Sequence, residues 1–180
     1  MDSDVVRIGV TGHIRLTRGS ARPIYRALRD LLLRQVRQGA VHGVTCLADG
    51  ADTLFARAVR DVAGTLEVVL PGPPGRGRRT RRLLRAATKV TRVADDPVPE
   101  NTYAAASDRM LHACDLLVAV WDGNDDGGYG GTAHTVARAR ELGKPVLVVW
   151  PRKARRKGHV GGGSMSHSSR VPAMAARTSG

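Results

Sequence analysis

The residues of this chain best suited to chemistry lie in three short glycine-bearing stretches, each directly after an apolar run. The first is GVTGHIR, Gly9 to Arg15. Gly12 permits a tight turn there, Thr11 and its neighbours can present backbone N–H groups, and His13 can donate to a phosphate or a hydroxyl. The stretch is neither G-x-G-x-x-G nor a P-loop, so an ordinary strand-to-helix turn with a solvent-facing histidine is the competing explanation. The second is LADGADT, Leu47 to Thr53. Asp49 is placed to bond ribose hydroxyls or cap the next helix, Gly50 allows close backbone approach, and Asp52 falls in the first helical turn, where a carboxylate either meets a ligand or caps. The third is WDGNDDGGYGGT, Trp121 to Thr132, with four glycines in five residues ahead of another helix. Gly128, Gly130, Gly131 and Thr132 set N–H groups and a hydroxyl at a helix start, whose partial positive charge favours a phosphate; a flexible hairpin-like loop is the alternative.

Elements of matching type must hold these stretches. Near-continuous apolar runs at Val5 to Val10, Val44 to Leu47, Leu66 to Leu70, Leu116 to Trp121 and Val146 to Trp150 have the character of strands buried on both faces, with Val90 to Val93 a weaker sixth. Between them, Ile24, Leu28, Leu31 and Leu32, then Leu54, Phe55, Ala58 and Val59, and later Val136 to Leu142 follow helical spacing. Alternating strand and helix predicts an open, doubly wound, mostly parallel α/β sheet of Rossmann-like form, with ligands bound beyond the carboxyl ends of its strands. Gly72 to Thr80 is expected to be an irregular, disordered basic loop leading into a short helix near Arg81 to Ala87. The expected organisation is one domain over residues 1–151 and a disordered basic tail over 152–180, where apolar residues run out.

Composition narrows the function classes. Aromatic residues are 3% of the chain, too few for a base-stacking platform of the kind single-strand binders use. The net charge of +13 is local: 15 of the 29 basic residues fall between Arg76 and Arg92 or between Arg152 and Arg177. That charge is either solubilising or a contact for nucleic acid or another polyanion. Cys46 and Cys114 form no disulfide framework or zinc pattern and are expected to be buried thiols. The start of the chain lacks a secretory signal and no apolar run is long enough to span a bilayer, so a cytoplasmic location without membrane contact is expected.

The motifs taken together resemble the SLOG superfamily, the Rossmann-like group that includes LOG phosphoribohydrolases and the DNA-processing protein DprA. The resemblance covers Val6 to Pro151 and rests on GVTGH at Gly9 to His13, LADGAD at Leu47 to Asp52, SDRMLHACDLLVAVWDG at Ser107 to Gly123 and GGYGGT at Gly127 to Thr132. It is closest in kind to the small stand-alone members of that superfamily. Against the LOG signature PGGxGTxxE, Gly128, Gly131 and Thr132 match, whereas Gly127 replaces Pro, Tyr129 replaces the second Gly, and Thr135 replaces the catalytic Glu. A threonine hydroxyl supplies no full negative charge for a developing ribosyl cation, which leaves Asp49 and Asp122 as the candidate catalytic carboxylates. Asn101 and Tyr103, opening the helix before the fourth long apolar run, are expected ligand contacts. The resemblance thus implies binding of a nucleotide or nucleotide-derived ligand, as a sensor would bind one, without metal or cofactor. Its alternatives are LOG-like phosphoribohydrolase activity and DprA-like nucleic-acid binding through Arg76 to Arg92 and the tail, with homodimerisation left open.

Overall fold

A computed structural model describes residues 5–93, 99–124 and 128–157, with the backbone alone for 99 and 100. Six strands, β1 (Val5–Gly12), β2 (Ala40–Thr45), β3 (Thr65–Leu70), β4 (Lys89–Arg92), β5 (Leu116–Val120) and β6 (Val146–Val148), alternate with five helices. These are α1 (Arg18–Val36), α2 (Ala51–Asp61), α3 (Arg78–Ala86), α4 (Pro99–His112) and α5 (Thr132–Glu141). The strands form one all-parallel sheet in the order β4-β3-β2-β1-β5-β6. Successive strands are added on one side of β1 up to β4 and on its other side from β5, which makes the carboxyl ends of β1 and β5 the topological switch point.

Alternation along the strands sorts the core into two layers. Ile8, Val10, Val41, Leu66, Val68, Val118 and Val120 pack with Ile24, Leu28 and Leu32 of α1 and Phe55 and Val59 of α2. Val44, Val69, Leu117 and Ala119 point the other way, onto Ala106, Met110 and Leu111 of α4 and Val136 and Ala139 of α5. Both faces of the sheet are therefore covered, which is why its strands read as continuous apolar runs.

Of the boundaries that differ from those expected, three have a clear local reason. β2 begins earlier and ends at Thr45, because the Thr45 hydroxyl accepts the Leu47 amide at 3.0 Å and Leu47 turns to φ 57°, taking Cys46 and Leu47 out of the strand. Helix α3 begins at Arg78, not Arg81, so Arg78 to Thr80 are helical, and its Thr80 and Leu83 are buried. The stretch after Pro151, expected to be tail, belongs to the domain up to Lys157. Ala154 is 1% exposed, the Thr17 amide donates to Arg155 O at 3.0 Å, the Lys157 amide to Arg15 O at 2.7 Å, and Leu16 pairs with Arg156 in an antiparallel bridge. Residues 152–157 thus form a strap over the β1–α1 connection; the rest of the expected tail lies outside the described residues.

Candidate functional site

At the switch point, β1 delivers His13 and β5 delivers Asp122. His13 Nε2 stands 3.0 Å from Asp122 Oδ1, and the strap brings Arg156 Nε to 2.7 Å from the other carboxylate oxygen. Trp150 meets the His13 ring edge-on, with centroids 5.3 Å apart. Burial alone pushes the Asp122 carboxyl up, but the Asn124 amide, His13 and Arg156 outweigh it and hold it at about 2. Asp122 is therefore a fixed anion between two partners, suited to stabilising a neighbouring positive charge and poorly suited to donating a proton.

The first two glycine loops are fitted to each other. A Cβ on Gly12 would stand 2.6 Å from the Ala51 Cβ and 2.7 Å from the Val120 Cβ, so Gly12 lets α2 close on the strands. Gly50 has φ +77°, a region costly for side-chain-bearing residues, and a Cβ there would approach His13 O to 2.5 Å. The Ala51 amide then donates to that same oxygen at 3.2 Å. Both glycines thus serve backbone packing between the loops. Asp52 is buried too, accepting from the Thr45 hydroxyl at 3.1 Å and the Ala48 amide at 3.3 Å, and burial raises its carboxyl to about 7. These bonds tie the β2–α2 turn together and direct the carboxylate inward. Asp49 is exposed and, among the described residues, without a hydrogen bond or ion pair. Thr11 lies in β1 opposite Ala119.

The third loop opens α5. Gly128 and Gly130 adopt φ +63° and +78°, the Gly131 amide donates back to Gly128 O at 3.1 Å, and Gly131 caps the helix that Thr132 begins. Beside this turn, α4 and α5 part to leave a cleft of about 350 Å³. Asn101, Ser107 and Asp108 line it from α4, and Tyr129, His134, Thr135 and Arg138 from the loop and α5. The Tyr129 and His134 rings lie 4.5 Å apart, and His134 Nδ1 is buried with no hydrogen-bond partner among the described residues. Asp108 accepts from Arg138 Nε at 2.8 Å and lies 3.3 Å from His112. Thr135 is 1% exposed and its hydroxyl donates to Gly131 O at 3.0 Å, so the position held by a glutamate in the LOG signature is a satisfied structural residue.

The expected site residues therefore divide. His13, Gly12, Gly50 and Asp122 come together at the switch point, Asn101 joins the α4–α5 cleft with Gly128, Gly130, Gly131 and Thr132 at its border, and Asp52 is drawn inward. Tyr103 is 53% exposed and lies outside the cleft lining. Sequence reasoning missed His134, Arg138 and Arg156. The first two are one helical turn apart, and Asn101, Ala104, Ala105 and Asp108 share such a spacing on α4, so facing polar positions were a usable signal. Arg156 had none, because its segment reads as solvated. Both cysteines carry thiols pushed up by burial, as expected of structural ones, and no group of metal-ligating side chains occurs among the described residues.

No family model matches the chain, and no curated protein matches it by sequence. Solved structures do match in fold. DNA processing protein A (DprA) from Streptococcus pneumoniae is similar with a TM-score of 0.61 at 17% identity, over 80% of this chain and 50% of that one. DprA from Helicobacter pylori, described for its single-stranded DNA binding mode, gives 0.59 at 15%, over 82% and 66%. The molybdenum cofactor binding protein from Rippkaea orientalis gives 0.58 at 17%, over 82% and 78%. The chain thus spans about half the length of the pneumococcal protein. At 15–17% identity the likeness is one of fold: this chain shares the parallel, Rossmann-like α/β architecture of these proteins. No helix among the described residues is long and apolar enough to cross a membrane.

Proposed function

We propose that this protein binds a nucleotide-type ligand in the cleft between α4 and α5, with the ligand's phosphate toward the Gly128–Gly131 turn and its base beside Tyr129 and His134. The observation that carries this reading is the cleft itself. Its volume of about 350 Å³ falls at the lower end of the range of roughly 300–1,000 Å³ usual for small-molecule sites. It opens beside a helix start suited to an anion, and on its wall the buried His134 Nδ1 lacks, among the described residues, the partner such an atom normally has. Nucleobases offer both the donors and the acceptors that a His134 Nδ1 of either tautomer could use. That two proteins of this fold are described as binding single-stranded DNA and the molybdenum cofactor lends support to ligand capture on such a scaffold.

The arrangement favours binding over hydrolysis. Asp108, the carboxylate of the cleft, is engaged by Arg138 and lies beside His112, and Asp122 is held at the switch point by His13 and Arg156. A sensor or carrier fits such a site better than an N-glycosidase. The test is a thermal-shift series with AMP, ADP-ribose, a cyclic dinucleotide and inorganic phosphate. A ligand at 100 times its Kd stabilises by about 2.7 kcal/mol, a rise of roughly 5–10 °C for a domain of this size. His134→Ala and Tyr129→Ala should weaken binding about tenfold or more, the scale of one lost ring contact or hydrogen bond. No shift with any of these compounds at millimolar concentration, or unchanged binding in both variants, contradicts the proposal, and release of free base from AMP would replace the sensor reading with the enzymatic one.

A further inference from the structure

Helix α3 lies in the layer of α1 and α2, on the side of the sheet opposite the α4–α5 cleft, and the cleft reading leaves it unused. Five of its nine residues are arginines. Thr80 and Leu83 face the core, while Arg78, Arg79, Arg81, Arg82 and Arg85 are all exposed, as is Arg76 just before the helix. Arg78 stands one turn from Arg81 and Arg82, and these stand one turn from Arg85; the four line a shallow groove of about 450 Å³. None of these arginines has an ion-pair partner among the described residues. Like charges one turn apart repel one another, and no acidic side chain among the described residues pairs with these arginines.

We propose that the outer face of α3 is a nucleic-acid-binding surface that grips the phosphate backbone without reading sequence. Arg78 to Arg85 spans roughly 10 Å of helix at about 1.5 Å per residue. A duplex presents one negative charge per about 1.7 Å of its axis, so that length faces several phosphates at once. The guanidinium fork matches phosphate geometry in a way an ammonium does not, and α3 uses arginine alone. The face carries no aromatic side chain to stack on bases, which makes the contact indifferent to sequence. It also exposes no large apolar side chain, the feature an interfacial helix needs to enter a membrane surface. α1 carries five arginines too, but over the 17 residues from Arg18 to Arg34 and with Asp30 among them.

The experiment is fluorescence anisotropy of the full chain with labelled oligonucleotides of two unrelated sequences, single-stranded and duplex, over about 50–200 mM salt. Both sequences should bind alike, and affinity should fall steeply with salt. In Arg78→Ala/Arg81→Ala/Arg82→Ala/Arg85→Ala, the log–log salt slope should shrink by about 3, near 0.7–0.9 per lost phosphate contact, and low-salt affinity should drop at least about tenfold. A charge-matched variant on α1, Arg22→Ala/Arg26→Ala/Arg29→Ala/Arg34→Ala, should retain most of the binding. Circular dichroism reports whether the α3 variant folds; if it does not, Arg81→Gln/Arg85→Gln, which keeps good helix formers, should still lower the slope by about one to two. Equal losses in the α1 variant would reduce the effect to bulk charge and overturn the proposal. Undiminished binding in the α3 variant, or binding to phosphatidylserine vesicles with none to oligonucleotide, would overturn it as well. Nucleotide binding in the cleft, measured on the same α3 variant, is a separate readout, so failure of either reading is visible without the other.

Discussion

Asp52 is a carboxylate buried in the turn after β2, with no cation among its hydrogen-bond partners, and burial raises it to about 7. In the unfolded chain it would titrate near 3.9. Between those values the folded protein holds a proton that the unfolded chain has released, so this group's contribution to stability falls as pH rises from about 4 to about 7. The cost above that range is of order 2–4 kcal/mol, since each pH unit separating the folded and unfolded titrations is worth roughly 1.4 kcal/mol. Asp52→Asn carries no charge to bury. Its melting temperature relative to the parent should therefore improve by more than about 5 °C between roughly pH 5 and pH 8; a difference that stays flat with pH would contradict this account. The sequence placed Asp52 correctly in the first turn of α2 and left ligand contact and capping as rivals. What decided between them was the Thr45 hydroxyl, whose bonds to Leu47 and Asp52 turn the carboxylate inward. His13 and Asp122 were legible as polar residues on loops, but their 3.0 Å pairing depends on β1 lying beside β5, 109 residues apart, and no local pattern encodes that.

At the scale of elements, strand and helix order was readable because β1, β2, β3 and β5 are near-continuous apolar runs and α1, α2 and α5 carry buried positions at helical spacing. The β4 edge, weakest by composition, is also the most exposed strand. The strap at residues 152–157 was not readable: a run of basic residues gives no sign that Ala154 will be buried or that Arg156 will find Asp122. Its role is testable by truncation. A chain ending at Pro151 loses the Ala154 contact, the bonds to Thr17 and Ser20, and the cation at Asp122. Leaving a part-buried carboxylate short of a partner costs about 1–3 kcal/mol or more, so this chain should melt several degrees below one ending at Lys157. Equal melting temperatures would mean that the strap adds nothing to the fold.

Across the whole molecule, the sheet separates two chemistries. Its α4–α5 side holds a small polar cleft beside a glycine turn, and its α1–α2–α3 side holds the densest run of unpaired arginine among the described residues. The net charge of +13 is thus partly an arranged feature of one helix and not a uniform property of the surface. The switch point, where ligands of open α/β sheets usually sit, is occupied here by His13, Asp122 and Arg156, which moves the open space toward α4 and α5. Amide-resolved NMR during titration with AMP tests that placement most directly. Signals from Tyr129 to Thr135 and from Asn101 to Asp108 should shift together and saturably, while those of α3 stay in place. Shifts centred on His13 and Gly50, or no saturable shifts at millimolar AMP, would contradict it.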